Sequence, residues 1–346
     1  MDVYRIDPLT DPRWTALVAR HPHASIFHTQ GWMAALRGTY GYEPLAYTTS
    51  PPGRELDNGV PFCRIRTWLT RKRLVSLPFS DHCAPLVETQ EALDAILGGL
   101  QSDRKKEHLQ YVELRPLAFP LTLGGEFTPS ESFALHLLDL RPGVRCVFRS
   151  LHKDCVQRKI QRAEREGLTC EAGNSETLLR KFYSLLLRTR RRHGLPPQPI
   201  HWFRNLIASL GDAVMIRIAS RKSSPLAAII TLTHRDTLVY KYGCSDERRS
   251  RFGGTQLLLW KAIEDAAAGG LTDFDLGRSE LDNPGLLAFK DRWGASRVPL
   301  QYVRYSARPS AVASRSWPRT LAKYCFARVP NPFLSAAGRL LYRHIG

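Results

Sequence analysis

Apolar and polar positions repeat along this chain with two different periods, and the switches between them mark out its elements. Apolar residues three and four apart predict helices over PRWTALVARH, GWMAALRGTY (opening near Thr29) and QEALDAILGGLQSDRKK. Between and after them, EPLAYTTS, VPFCRIRTW, RLVSLPFS and YVELRP read as strands, and ALHLLDLRPG as a last strand ending in a turn. A change of rhythm over Arg141–Arg149 marks a domain boundary.

RSLHKDCVQRKIQRAEREGL then predicts one helix, with Ser150 as its N-cap and a stop at Gly167–Leu168. Val156, Ile160 and Ala163 make its buried stripe, and Arg158, Arg162 and Arg165 a cationic stripe at the same spacing. SETLLRKFYSLLLRTRRRHG is a longer helix with Leu179, Phe182, Tyr183 and Leu186 facing the core, ended by LPPQP. IHWFRNLIASLG is a third. Three strands follow, AVMIRIAS, PLAAIITLTH and TLVYKYGCS, joined by tight polar turns. The loop DERRSRFGG leads into the helix TQLLLWKAIEDAAAGG, then come the strand TDFDLG, the polar loop RSELDNPG, a short helix within PGLLAFKDRWGA and the strand VPLQYVRYS. This order is β-β-β-α-β-α-β, an α+β design. A final helix, NPFLSAAGRLLYRHIG, is capped by Asn331 with Pro332 in its first turn. Phe333, Ala337, Leu340 and Leu341 share one face of it, with Arg339 and Arg343 elsewhere.

At 346 residues the chain exceeds one ordinary core, which predicts two domains, 1–144 and 145–308, followed by a basic helical tail, 309–346. Seven cysteines without a C-x-x-C pair predict no disulfide framework and no structural zinc, and eleven histidines offer no metal pattern. MDVYRIDPLTDPRW carries acids and no apolar leader segment, and no apolar run approaches the roughly 18 residues of a membrane span. The expectation is a cytoplasmic chain, peripheral at the inner membrane through its tail. The net charge of +18 is concentrated: residues 145–192 carry a net +8, and residues 301–346 another +8 with no acid at all. Such a field gathers an anionic partner, whether a nucleotide-containing cosubstrate, a transfer RNA, an undecaprenyl-type phosphate or an acidic lipid.

Three stretches carry candidate chemistry. Arg248, Arg249 and Arg251 precede Gly253-Gly254-Thr255, where a strand gives way to a helix. Free N–H groups at a helix start, and glycines that let a pyrophosphate approach, make this a phosphate-binding candidate; a plain helix entry with loop glycines is the alternative. Asp275, Arg278, Glu280 and Asp282 cluster at the carboxyl end of a strand, where ligands bind in such folds and where the acids can orient an amine or merely turn the loop. SLPFSDHCAPL puts Asp81, His82 and Cys83 in a row. In an extended segment neighbours point to opposite faces, so the three form no triad. Asp81 as an acid or base and His82 as a substrate contact remain, with Cys83 a packing residue.

These stretches taken together, LHKDCVQRKIQRAEREGL, FYSLLLRTRRRHGLPPQP, YKYGCSDERRSRFGGTQLLLWKAIEDA and FDLGRSELDNPGLLAFKDRWGA, resemble the Fem-like branch of the GNAT acyltransferase superfamily. SIFHTQGWMAAL and LPFSDHCAPL look like the first half of the same proteins, and LYRHIG like the polysaccharide-associated group. The resemblance implies two GNAT-like domains, each a mixed sheet flanked by helices, with an acceptor groove between them. It implies acyl or aminoacyl transfer to an amine of a saccharide or cell-envelope peptide precursor, with no tightly bound cofactor. The donor is a coenzyme A thioester or an aminoacyl-tRNA, although the long helical hairpin common in tRNA-using members is not present. The AFK position implies that Phe289 contacts the donor and that Lys290 stabilises the developing oxyanion. The apolar face of Leu286, Phe289 and Trp293 would hold that lysine, with Trp293 also facing substrate. Asp81, Asp275 or Glu280 would take the amine proton. The competing reading is a non-catalytic basic protein that binds a membrane surface or nucleic acid.

Overall fold

A computed structural model describes residues 1–67, 71–117, 121–124, 126–306 and 331–345. The chain divides into two compact units. The first comprises Met1–Phe133, Pro299–Arg315 and Leu340–Gly346, and the second Ala134–Val298 and Ser316–Arg339. Packing therefore divides the chain ten to eleven residues before the breaks expected at 144/145 and 308/309, with the tail shared between the two units. The reason is local to the strands: the expected last strand of the second domain pairs with a strand of the first unit, as set out below.

The first unit begins with β1 (Tyr4–Ile6), α1 (Pro12–Arg20) and α2 (Gln30–Tyr40), and continues through β2 (Glu43–Thr48), β3 (Val60–Thr67), β4 (Arg71–Val75), α3 (Gln90–Lys106) and β5 (Tyr111–Leu114). Each of its helices starts on a side-chain oxygen that accepts a free N–H: Asp11 for α1, Thr29 for α2 and Thr89 for α3. The chain then passes through the long strand β6 (Thr128–Asp139) into the second unit.

There follow α4 (Val144–Ser150), α5 (Arg158–Arg165), β7 (Thr169–Gly173), α6 (Glu176–Arg192), α7 (Ile200–Leu210), β8 (Val214–Arg221), β9 (Ser224–His234), β10 (Thr237–Ser245), α8 (Gly254–Ala268), β11 (Asp273–Glu280) and α9 (Pro284–Asp291). β12 (Ser296–Ser306) and α10 (Asn331–Ile345) complete the order.

In the first unit the strand order is β1-β2-β3-β4-β5-β12, antiparallel except for β4 beside β5. Its core packs Leu93, Ile96 and Leu100 of α3 against Phe62, Leu74 and Val112 of the sheet. In the second unit the order is β6-β11-β10-β9-β8-β7, antiparallel from β7 to β10 and parallel between β10 and β11. Leu258, Leu259, Ala262 and Ile263 of α8 pack there with Ala219, Ile229, Phe274 and Leu276, together with Ile160 of α5.

Two elements differ from the sequence pattern. The helix expected from Ser150 is broken: Ser150 ends α4, and the chain restarts at His152, whose Nδ1 accepts the N–H groups of Asp154 and Cys155. One wide turn over Lys153–Gln157 then leads into α5. Val156, Ile160 and Ala163 are buried as expected, and Gly167 (φ +65°) closes the helix while Leu168 N–H reaches Ala163 O at 3.0 Å.

The other difference is α10, where the expected face of Phe333, Ala337, Leu340 and Leu341 is not the packed one. Leu334, Gly338 and His344 are buried, whereas Phe333 and Leu340 are 68% and 66% exposed. Gly338 lies against the carbonyl of Pro197, an approach only a side chain without Cβ allows. The remainder of the expected tail, 309–330, lies outside the described residues. Among the described residues no helix is long and apolar enough to cross a membrane.

Candidate functional site

The parallel pair β10/β11 organises the second unit's site. The two strands pair only at Thr237↔Asp273, Leu238↔Phe274 and Val239↔Asp275. Beyond that point β10 bulges between Tyr240 and Tyr242, and continues its ladder with β9 alone as far as Ser245. Among the described residues the β10–β11 ladder has no register pair past Val239, so the two strands part there.

Across this gap β11 bends at Gly277, whose φ of +75° is open to glycine. Asp275 accepts the N–H of Gly277 on Oδ1 at 2.7 Å, so its carboxylate shapes the bend. Asp275 is buried, which argues for this positioning role over that of a base meeting a bulk-exposed amine. Arg278 and Glu280 belong to the strand itself, not to a loop, and Glu280 is exposed at its end.

Lys290 is the central side chain. α9 starts on Asn283, whose Oδ1 accepts Leu286 N–H at 3.1 Å, with Pro284 at its first position. The face it buries is Leu287 and Lys290, not the expected Leu286 and Phe289, which are half-buried. Lys290 is only 3% exposed, and its ammonium donates to the carbonyls of Gly277 (2.7 Å) and Arg278 (3.0 Å). A buried cation persists only where such acceptors replace its water. Sequence spacing put the lysine beside an apolar face; it occupies that face. Phe289 meets Trp293 edge to face at 6.4 Å between ring centres. Trp293, expected at the substrate, is fully buried in the core of the second unit.

The glycines of the RFGGT stretch are tightly enclosed. Gly253 has φ +74°, and a Cβ there would collide with the carbonyl oxygen of Lys159 on α5. A Cβ on Gly254 would stand 3.2 Å from that of Ala227 and 3.5 Å from that of Ala219. The glycines let α8 seat closely on α5 and the sheet, so packing is the reason for the pair. Thr255 follows in the first turn of α8, half-buried.

The arginines before them divide. Arg249 donates to Ser224 Oγ at 2.7 Å, and Arg251 and Arg221 both stack on the Phe252 ring. Arg248 is exposed. Asp246 and Glu247 tie the loop to Arg188 and Arg192 of α6, each at 3.5 Å.

Asp81 and His82 lie in the first unit, in a loop of unusual backbone. Leu77 (φ +45°) and Phe79 (φ +62°) are both left-handed, a costly conformation for bulky residues that persists where neighbours enforce it. Here Arg115 donates to the carbonyls of Leu77 and Ser80, and the Tyr302 hydroxyl to that of Asp81 at 2.6 Å. Arg115 is fixed in turn by Glu113. Burial would raise that carboxyl, but Arg115 and Arg304 hold it below its usual range. His82 meets the Phe27 ring edge to face, joining SIFHTQGW to SLPFSDHC.

Cys83 sits 3.3 Å from His28 Nε2, a pair that suggests a nucleophile until the tautomer is read. Nδ1 of His28 accepts Ser25 N–H, so Nε2 carries the proton and donates to Ala84 O at 2.9 Å. No base remains for the thiol, which burial pushes up to about 12.

The sequence reading passed over Arg115, Tyr302 and His136. The last was legible in part: His136 interrupts the apolar run FALHLL of β6, and a buried histidine in such a run stands out.

Residues 152–291 match the family described as acetyltransferase (GNAT) domain. UDP-N-acetylmuramoylpentapeptide-lysine N(6)-alanyltransferase of Weissella viridescens is 28% identical over 161 residues, 44% of this chain and 46% of that protein; the chain thus matches about half the length of this curated relative. The crystal structure of FemX superposes with a TM-score of 0.68 at 14% identity, covering 88% of this chain and 97% of that one. A tandem GNAT protein from the clavulanic acid biosynthesis pathway superposes at 0.54 and 11% identity, covering 89% and 99%.

The family match gives residues 152–291 as a GNAT domain, within an α+β fold shared with these structures. Within that class the chain is similar to the alanyltransferase over part of its length and shares its fold with FemX.

Proposed function

We propose that this protein is an N-acyltransferase that moves an acyl or aminoacyl group onto an amine of a cell-envelope precursor, a peptide or an amino sugar. The carrying observation is Lys290: a buried ammonium held by two carbonyls of the β11 bend, at the gap where β10 and β11 part. An amine nitrogen attacks the donor carbonyl, a C–N bond forms, and the C–S or C–O bond to the carrier breaks. The proton lost by the amine ends on the departing thiolate or alkoxide. Positive charge fixed at the gap lowers the energy of the oxyanion that forms on the way. Asp81 is the acid–base candidate of the first unit and His82 its neighbour toward the acceptor. In the second unit Glu280 is the exposed candidate, with Arg278 beside it.

The donor is a coenzyme A thioester whose phosphates meet Thr255 and Arg248 at the start of α8, with Phe289 against its acyl arm. One observation favours an aminoacyl-tRNA instead. Arg145, Arg149, Lys153 and Arg165 are exposed on α4, α5 and the turn between them, a surface suited to a longer polyanion.

The exposed Phe333 and Leu340 of α10, with Arg339 and Arg343 near them, suit an anionic bilayer carrying the acceptor. Co-sedimentation with vesicles containing phosphatidylglycerol, compared with phosphatidylcholine alone, tests that contact.

The test of function is transfer of labelled acyl groups from acetyl-CoA and from alanyl-tRNA to a pentapeptide precursor and to glucosamine. Transfer lost in Lys290→Met supports the reading. Transfer from neither donor, with salt-sensitive RNA or vesicle binding retained, supports the non-catalytic alternative.

A further inference from the structure

His136 lies in the carboxyl-terminal half of β6, fully buried, and its Nε2 stands 3.2 Å from Oδ1 of Asp291, the residue after Lys290. Arg297, at the start of β12, grips the same carboxylate through two nitrogens. A carboxylate at the end of α9 opposes the negative pole of the helix, so Asp291 does not serve helix stability by itself. Its two partners give it another use. α9 has only eight residues, too few to hold its shape alone, and its end is pinned to strands on either side.

We propose that His136 is a positioning residue of the transfer reaction: through Asp291 it fixes the end of α9, and with it the ammonium of Lys290. This rests on the role given to Lys290 above. The neutral imidazole suits the task, because Nε2–H donates to Asp291 while the buried Nδ1 has no hydrogen-bond partner among the described residues. A second proton would add a buried N–H without an acceptor. The charged groups acting on the ring are Lys290 and Asp291 from α9 and Arg297 from β12. Burial first, then the Lys290 charge, hold its pKa below the ordinary 6.5, against the pull of Asp291. Neutral His136 therefore prevails at neutral pH, and its charging at low pH disturbs the anchor.

Two variants separate positioning from packing. His136→Gln keeps a donor for Asp291 but does not titrate, whereas His136→Phe keeps volume and removes the donor. The expected result is a kcat about tenfold or more lower in His136→Phe with donor KM little changed. His136→Gln should retain most of kcat and lose the part of the acid limb that belongs to His136. Equal kcat and equal pH profiles in all three proteins would overturn the proposal.

A second readout needs no turnover: NMR titration of the His136 ring in wild type and in Lys290→Met. An upward move of its pKa in the variant supports the coupling, and an unmoved titration refutes it. If the wild type transfers nothing, the functional reading fails while this titration still decides the coupling.

Discussion

Replacing Lys290 by Met removes the charge and keeps a flexible chain of similar length. Two carbonyls, those of Gly277 and Arg278, then lose their donor in a place water does not reach easily. An unsatisfied buried acceptor costs roughly 1–3 kcal/mol, and apolar repacking by Met returns part of it, so a net loss of about 2–4 kcal/mol is expected. For a unit of this size that lowers the unfolding midpoint by about 4–16 °C. If the ammonium also stabilises the oxyanion, kcat falls roughly 100- to 1000-fold. Thermal unfolding and single-turnover transfer, measured on the same preparation below its unfolding midpoint, separate the two effects. Lys290→Arg sharpens the test, because a planar guanidinium does not fit an ammonium's seat: donor binding should survive and turnover should not. A Met variant as stable as wild type would refute the buried hydrogen-bonding role. One that is destabilised yet turns over at the wild-type rate would refute the catalytic one.

Gly253→Ala should destabilise the second unit by about 1–3 kcal/mol, since the new methyl meets the Lys159 carbonyl and φ is +74°; chemical denaturation measures this. Tyr302→Phe removes the 2.6 Å bond to the Asp81 carbonyl, with about 0.5–1.5 kcal/mol lost and KM for the amine acceptor raised more than that for the donor in steady-state kinetics. Glu113 has a native pKa below its ordinary 4.5, because Arg115 and Arg304 outweigh burial. Its contribution to stability is therefore full above that ordinary value and is lost as pH falls through the lower native one. Glu113→Gln should flatten the acid limb of stability between those values, as read by denaturation at stepped pH.

Much of the fold could be read from periodicity. α3 occupies the span of the helical pattern QEALDAILGGLQSDRKK, and β8, β9 and β10 follow three runs of apolar residues cut by polar turns. The pattern fell short where local and tertiary preferences diverge. Nothing in RSLHKDCVQRK breaks the helical period, yet His152 starts a new helix by capping its own downstream amides. In α10 the apolar residues outnumber what one face can hide, so sequence could not say that Leu334 and Gly338, not Phe333 and Leu340, would be packed.

The site was legible as residue types and less so as roles. Lys290 was found, but its burial against strand carbonyls depends on the Gly277 bend, which only the folded strand displays. The glycine pair was found, but not its packing: the atoms that exclude a side chain at Gly253 and Gly254 are those of α5 and the sheet. His136 escaped notice because its partner, Asp291, is 155 positions away in the chain.

The loop carrying Asp81 and His82 has a consequence for how this protein can vary. A left-handed backbone is ordinarily relieved by glycine, so a strained position usually offers an easy route to greater stability. Leu77 closes that route, because the same residue whose φ is +45° has a fully buried side chain. Glycine there would regain the backbone energy, on the order of 1–2 kcal/mol, and leave a leucine-sized hole costing about 2–5 kcal/mol. A β-branched replacement fills the space but resists the backbone still more. Position 77 is thus a local optimum from which every single step leads downhill, and a library of substitutions there should return leucine almost alone.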